Sequence, residues 1–297
     1  MSTTAKNPKN SKPRAQLTPE ERQRMVAKNK IKKIRRKRFV IFSFSFIIIA
    51  IIVGVVYAFF AIFKITDYTV SGNKTYSNEK VFESSGLQLE KNLFLSKTQI
   101  AEEQIETELP YINNAVITRS LPGTLKYTVV ETKAVSAMEY GTGLVLLNND
   151  GKSLERKNMI KSIKLMLLRC PKPINAETGH IIKFAKTFKI KVVQANKKVK
   201  YVDNQVDMLQ VYKDLISAIE VSKIKDITLI DMSNPFDVSL IYQDRITLHI
   251  GTPIELEGRL AAAVSIIKIE DKVSSSQKGK INLTILEKAY FQKTTKN

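Results

Sequence analysis

The 25 residues Phe39 to Phe63, FVIFSFSFIIIAIIVGVVYAFFAIF, contain no charged side chain. As an α-helix they extend about 37 Å, enough to cross a bilayer core with some tilt. A core helix of a soluble domain keeps a polar face over such a length. The run also exceeds the apolar region of a cleaved leader, and no Ala-x-Ala site follows it. One uncleaved transmembrane helix is therefore expected over residues 39–63.

Flanking charge orients that helix. Residues 19–38 hold ten Lys and Arg, whereas residues 64–83 hold three: Lys64, Lys74 and Lys80. Positive charge stays inside, so residues 1–38 are expected in the cytoplasm and residues 64–297 outside, as in a single-pass type II membrane protein. Residues 1–38 carry 14 basic side chains against two Glu, which places most of the formal net charge of +20 in the tail. With few apolar residues to bury, this tail reads as disordered, with nascent helix over EERQRMVAKNKIKKIRR. Such a run could neutralise nucleic-acid phosphates, but beside a membrane span it reads as an orientation signal touching anionic lipid. No nucleic-acid partner is expected. Cys170 is the only cysteine, so the outer part depends on packed cores rather than an intrachain disulfide.

Beyond the membrane, KITDYTVSGN alternates as a short strand with Ile65, Tyr68 and Val70 as apolar members, and Ser77 suits the N-cap of a helix ending at Gly86. Ser96 and Gln99 have capping-box spacing, and Ala101, Ile105 and Leu109 form one stripe before Pro110. Two strands follow, INNAVITRS and TLKYTVVE. Between them, Leu121-Pro122-Gly123-Thr124 predicts a type II turn, with Pro fixing φ and Gly accepting φ > 0. A wall-sorting signal would need Gly after the Thr and a closing apolar segment; Leu125 and a long β-rich region stand there instead.

The remainder reads as mostly β. VSAMEY and GLVLLNNDGKSLE form a strand and a hairpin turned at Asn149-Asp150-Gly151, and SIKLMLL is a further strand. A helix spans about 204–221, followed by DITLIDM, FDVSLIYQ and RITLHIG. Pro253 opens another helix with Leu256, Leu260, Val264 and Ile267 on one side, and INLTIL is the final strand.

This order resembles the DivIB/FtsQ family of bacterial cell division proteins. ITDYTVSGNKTYS is similar to the opening strand of the family's POTRA domain, and AVITRSLPGTLKYTVVETKAVSA to its last hairpin and exit. GLVLLNNDGKSLE resembles the hairpin that opens the β domain. The stretch from IKDITLIDM to GRLAAAVSII, with GKINLTIL, resembles the C-terminal end. Lys133-Ala134-Val135-Ser136 departs from the family's Pro-Val-Ala, and Asn282 stands where an acidic residue is common. The resemblance implies an α+β fold with a β-α-α-β-β POTRA domain at 64–133, a mostly antiparallel β domain with flanking helices at 134–290, and a short tail at 291–297.

It further implies a scaffold concentrated at the division septum. Its partners would be DivIC/FtsB-type and FtsL-type coiled-coil proteins and other septal division proteins, and it would help regulate septal peptidoglycan synthesis. In the family a partner strand adds to the exposed last strand. Independently, a terminal strand leaves a row of unpaired backbone groups. The expected edge is Ile281 to Leu286. Ile281, Leu283, Ile285 and Leu286 are candidates for partner contact, although Ile281, Leu283 and Ile285 equally suit the domain's own core. Tyr290 and Phe291 are candidate anchors unless they pack on the domain's own helix, and Arg259 is a candidate for an acidic coiled-coil end.

No catalytic, cofactor or metal residue is assigned. Five extramembrane Ser-x-x-Lys pairs, among them Ser265 to Lys268, lack the companion motifs of serine acyl enzymes. His180 and His249 lack partners at ligand spacing, and no phosphate loop occurs. The alternative is a POTRA-bearing membrane protein of another envelope assembly or translocation system, for which neither repeated POTRA units nor a barrel is visible.

Overall fold

The computed structural model describes residues 19–158, 164–185, 187–193, 199–285 and 288–293. It divides into two compact units, residues 1–63 and residues 64–297. In the first, helix α1 (Pro19–Ile62) carries the uncharged run, with its apolar side chains almost all uncovered. It is long and apolar enough to be a membrane span.

The second unit begins with β1 (Asp67–Ser71), α2 (Asn78–Ser84), α3 (Thr98–Glu108), β2 (Ile112–Ser120) and β3 (Thr124–Glu131). The strands form a sheet ordered β1-β3-β2, parallel between β1 and β3 and antiparallel between β3 and β2. Alternation decides its faces: Leu125, Tyr127 and Val129 of β3 are buried, as are Val81, Ala101 and Ile105 of the helices. Ser77 caps α2 by accepting the Lys80 N–H. The predicted box on α3 does not form. Ser96 Oγ donates to the Asn92 carbonyl at 2.8 Å, and the cap position falls on Lys97 without a side-chain bond.

The turn between β2 and β3 also departs from the type II expectation. Leu121–Pro122 is cis and Gly123 has no positive φ. Glycine is required there by proximity, since a Cβ would stand 2.3 Å from the Lys64 carbonyl oxygen. The Gly123 carbonyl accepts from the Thr66 N–H at 2.8 Å, tying the turn to the start of β1. At the other end of β3, one Glu131 carboxylate oxygen accepts from the N–H groups of Lys74 and Thr75 at 2.7 and 2.8 Å. The other accepts from Thr75 Oγ at 2.8 Å.

The remaining elements are β4 (Ser136–Tyr140), β5 (Gly143–Leu147), β6 (Ser153–Lys157), β7 (Met166–Arg169), β8 (Thr187–Val193), β9 (Val199–Gln205), α4 (Met208–Ser222), β10 (Ile227–Asp231), β11 (Val238–Tyr242), β12 (Ile246–Gly251), α5 (Leu256–Val273), β13 (Gly279–Asn282) and β14 (Tyr290–Lys293). Nine strands make one mixed sheet, ordered β14-β13-β12-β11-β10-β7-β4-β5-β6; five of its eight pairings are antiparallel. Helices α4 and α5 cover one face, where Tyr212, Leu215, Leu260 and Ala263 meet Ile230, Leu240, Leu248 and Ile281. The hairpin β8–β9 is a separate two-stranded sheet in a region where the sequence reading placed no strand.

A buried lysine joins the two parts of this unit. Lys152 is 6% exposed, and its ammonium donates to the carbonyls of Glu106 at 2.5 Å and Ile112 at 2.6 Å. Glu106 lies in the last turn of α3, where an unfilled carbonyl and the helix dipole both favour a cation. Burial pushes the Lys152 pKa down, and the Glu106 carboxylate opposes this. Asn148 Nδ2 donates to Asn113 Oδ1 at 2.8 Å, and Tyr111 Oη to Glu155 at 3.1 Å, on either side of the same joint.

Two outcomes follow. Lys152→Met keeps the aliphatic stem but leaves two buried carbonyls unpaired, a cost of roughly 2–3 kcal/mol. Urea unfolding of residues 64–297 should show that loss, and an unchanged midpoint would dismiss the joint. For Glu131, desolvation raises the carboxyl pKa, but the hydrogen bonds outweigh it and hold the group below its ordinary 4.5. A depressed carboxyl contributes stability above its unfolded pKa and loses it as pH falls through the folded one. Glu131→Gln should therefore show a smaller drop in Tm than wild type between about pH 7 and pH 3; equal drops would contradict this role.

Candidate functional site: the C-terminal end of the large sheet

A sheet of nine strands has two outer strands, and the chain treats them differently. On β6, Ser153 donates its N–H to the His180 carbonyl at 2.9 Å and accepts from the Gly179 N–H at 2.8 Å. A Cβ on Gly179 would stand 2.0 Å from the Thr107 carbonyl oxygen, so this covering segment is pressed against α3. The start of β6 is thus covered by the protein's own loop and by the β1–β3 sheet domain, while Arg156 and Lys157 at its end are exposed.

The opposite side is built by α5. A parallel neighbour for β12 requires a crossover, and α5 supplies it, bringing β13 back with Ile246 opposite Gly279 and His249 opposite Asn282. Gly279 donates its N–H to the Arg245 carbonyl at 3.1 Å, and Leu283 to that of His249 at 2.8 Å. Alternation then turns the backbone groups of Lys280 and Asn282 away from β12. Strand β13 ends early because Asn282 Oδ1 accepts from the Thr284 N–H at 3.0 Å and from Thr284 Oγ at 2.8 Å, an Asx turn.

The expected edge, Ile281 to Leu286, is therefore not the edge. Strand β14 lies antiparallel on β13, with Gln292 opposite Lys280 and Tyr290 opposite Asn282. Ile281 and Leu283 are fully buried in the sheet's core. Ile285 is 56% exposed, and Leu286 lies outside the described residues. Tyr290 is 54% exposed. Phe291 is half-buried, and its ring lies over Gly279, where a Cβ would come within 2.2 Å of it.

Arg259 is also placed differently from the surface role expected of it. It is 5% exposed, and its guanidinium donates to the carbonyls of Ile250 at 2.6 Å and Thr252 at 3.1 Å. It stands in the first turn of α5, directly after Glu255 in a left-handed conformation, and reaches back to the exit of β12. It ties that connection together and is not available to an acidic partner at the surface. Its Nε has no hydrogen-bond partner.

Groups that could carry chemistry are dispersed. Ser265 Oγ donates to the Ala261 carbonyl at 3.1 Å, the back-bond of a helical serine. Cys170 is partly buried against Met138, and burial pushes its thiol up to about 12, far from a reactive thiolate. His249 Nδ1 lies 3.5 Å from Asp237, with Ser239 opposite it in register, but no hydrogen bond joins that serine to the imidazole. Among the described residues, no group of three or more His, Cys, Asp or Glu could hold a metal ion.

Residues 63–132 match the family model "POTRA domain, FtsQ-type". Over 255 residues the chain is 26% identical to the "Cell division protein DivIB" of Clostridium botulinum (strain Hall), covering 86% of this chain and 91% of that one. To the protein of the same name from Clostridium tetani it is 25% identical over 241 residues, 81% and 83% of the two chains. To the "Cell division protein FtsQ" of Corynebacterium glutamicum it is 27% identical over 108 residues, 36% of this chain and 48% of the relative. A β-α-α-β-β domain of the matched kind, the large sheet after it, the apolar helix before it and similarity along most of the chain agree: the chain belongs to the DivIB/FtsQ family of bacterial cell division proteins.

Proposed function

We propose that this protein is a non-enzymatic scaffold of the division machinery, anchored with its N-terminus in the cytoplasm and residues 64–297 outside, and concentrated at the septum. Its partners are DivIC/FtsB-type and FtsL-type coiled-coil proteins, whose binding helps regulate septal peptidoglycan synthesis. The asymmetry of Lys and Arg about α1 supports the orientation. The observation that carries the partner reading is the asymmetry of the large sheet. Its β6 side is covered by the protein itself at the start of the strand, where the two sheet domains meet, whereas its other side ends in two four-residue strands, β13 and β14. Backbone groups at such an end accept a strand from another chain.

A fluorescent fusion should form a mid-cell ring, and depletion should give filaments or fragile septa. Uniform envelope fluorescence with normal division would refute the septal role. At residue level, in a chain ending at Ala289 and so lacking β14, Lys280→Pro removes an outward N–H while leaving Ile281 and Leu283 in the core. Capture of a DivIC-type partner should weaken about tenfold, roughly 1.4 kcal/mol. Capture undiminished by Lys280→Pro would remove β13 as the docking strand.

A further inference from the structure

The edge that would receive a partner strand is already occupied by the chain itself. Strand β14 pairs with β13 over four residues, and the alternation fixed by the Gly279 and Leu283 bonds means it uses the outward groups of Lys280 and Asn282. It is held lightly. Tyr290, Gln292 and Lys293 are exposed, and only Phe291 is half-buried. By contrast β13 is anchored by Ile281 and Leu283, both at 0% exposure. A four-residue outer strand with one packed side chain belongs to the low-stability end of a structure, opening without disturbing the strands inside it.

We propose that β14 is an exchangeable self-strand: it holds the β13 edge closed and must leave before a partner strand can pair there. This rests on the reading of that edge as the partner site. The geometry also specifies the incoming strand. It runs antiparallel to β13 and sets a bulky apolar side chain opposite Ile281, where Gly279 leaves the hollow that the Phe291 ring fills. It must also extend beyond four residues, since an equal length offers no gain over β14. While β14 is in place, apparent affinity is reduced by the fraction of chains in which the edge is free.

The test compares three membrane-anchored chains in detergent: wild type, a chain ending at Ala289, and full-length Lys280→Cys/Gln292→Cys with Cys170→Ser. Positions 280 and 292 are directly opposed in a hydrogen-bonded pair, a separation of about 5.5 Å that a disulfide spans. With a DivIC-type protein as probe, the shortened chain should bind at least about tenfold more tightly than wild type. The oxidised double-cysteine chain should lose binding, and reduction should restore it. Phe291→Ser, which frees β14 without removing any residue, should act as the shortening does. Equal capture by the oxidised and wild-type chains, or weaker capture by both freed chains, would overturn the proposal.

A second probe, a labelled peptide of residues 288–297, separates the two readings. If the peptide binds the shortened chain but not the oxidised one, and no chain captures the DivIC-type protein, strand exchange stands and the partner reading falls. If it fails to bind the shortened chain, strand exchange falls.

Discussion

A β-sheet cannot end without leaving backbone donors and acceptors on its last strand, and this constraint organises residues 64–297. The large sheet meets it in two ways. At β6 the chain returns through Gly179 and His180, and α3 is pressed behind that return. At the opposite end closure is left to β14, which brings little packing of its own. The start of β6 is thus part of a packed joint, whereas the β14 end is a lightly covered seam. Another strand can compete for weakly held backbone bonds but not for a buried joint.

The joint gives the seam a fixed frame. Lys152 sits among backbone carbonyls of α3 and β2, and the side-chain bonds of Asn113, Asn148, Tyr111 and Glu155 surround it. The FtsQ-type POTRA domain therefore sits at the β6 side of the sheet, leaving the β14 side clear. Within the POTRA domain, Glu131 and Gly123 tie both ends of β3 to the segments around β1. These contacts involve backbone groups on at least one side, so they fix geometry more than they fix sequence.

Much of this was legible from residue pattern. Strands β2 and β3 appear with the boundaries read from INNAVITRS and TLKYTVVE; β3 alternates cleanly with one buried face, and β2 does so from Ala115 to Thr118, after a register shift between Ile112 and Asn114. The stripe Ala101, Ile105 and Leu109 is buried as its spacing implies. The failures have local causes. Ser96 Oγ turns back to donate to the Asn92 carbonyl and does not accept from the first turn of α3, so the capping box is lost. The run INLTIL looked like one strand, but the Asx turn at Asn282 stops it after two of those residues. Tyr290 to Lys293 is too short and too polar to announce a strand; only its place beside β13 makes it one. Arg259 looked like a surface charge because nothing in sequence shows that two strand-exit carbonyls stand within its reach. Lys152, the most buried lysine of the joint, gave no signal, since burial of a cation depends on acceptors brought from forty residues away.

The most direct measurement is residue-resolved amide hydrogen exchange on the full chain, alone and bound to a DivIC-type partner. The account predicts that binding slows exchange at Lys280 and Asn282 and speeds it at Tyr290 and Gln292, while amides of residues 64–131 keep their rates. Protection confined to the POTRA domain, with residues 279–293 unchanged, would contradict it.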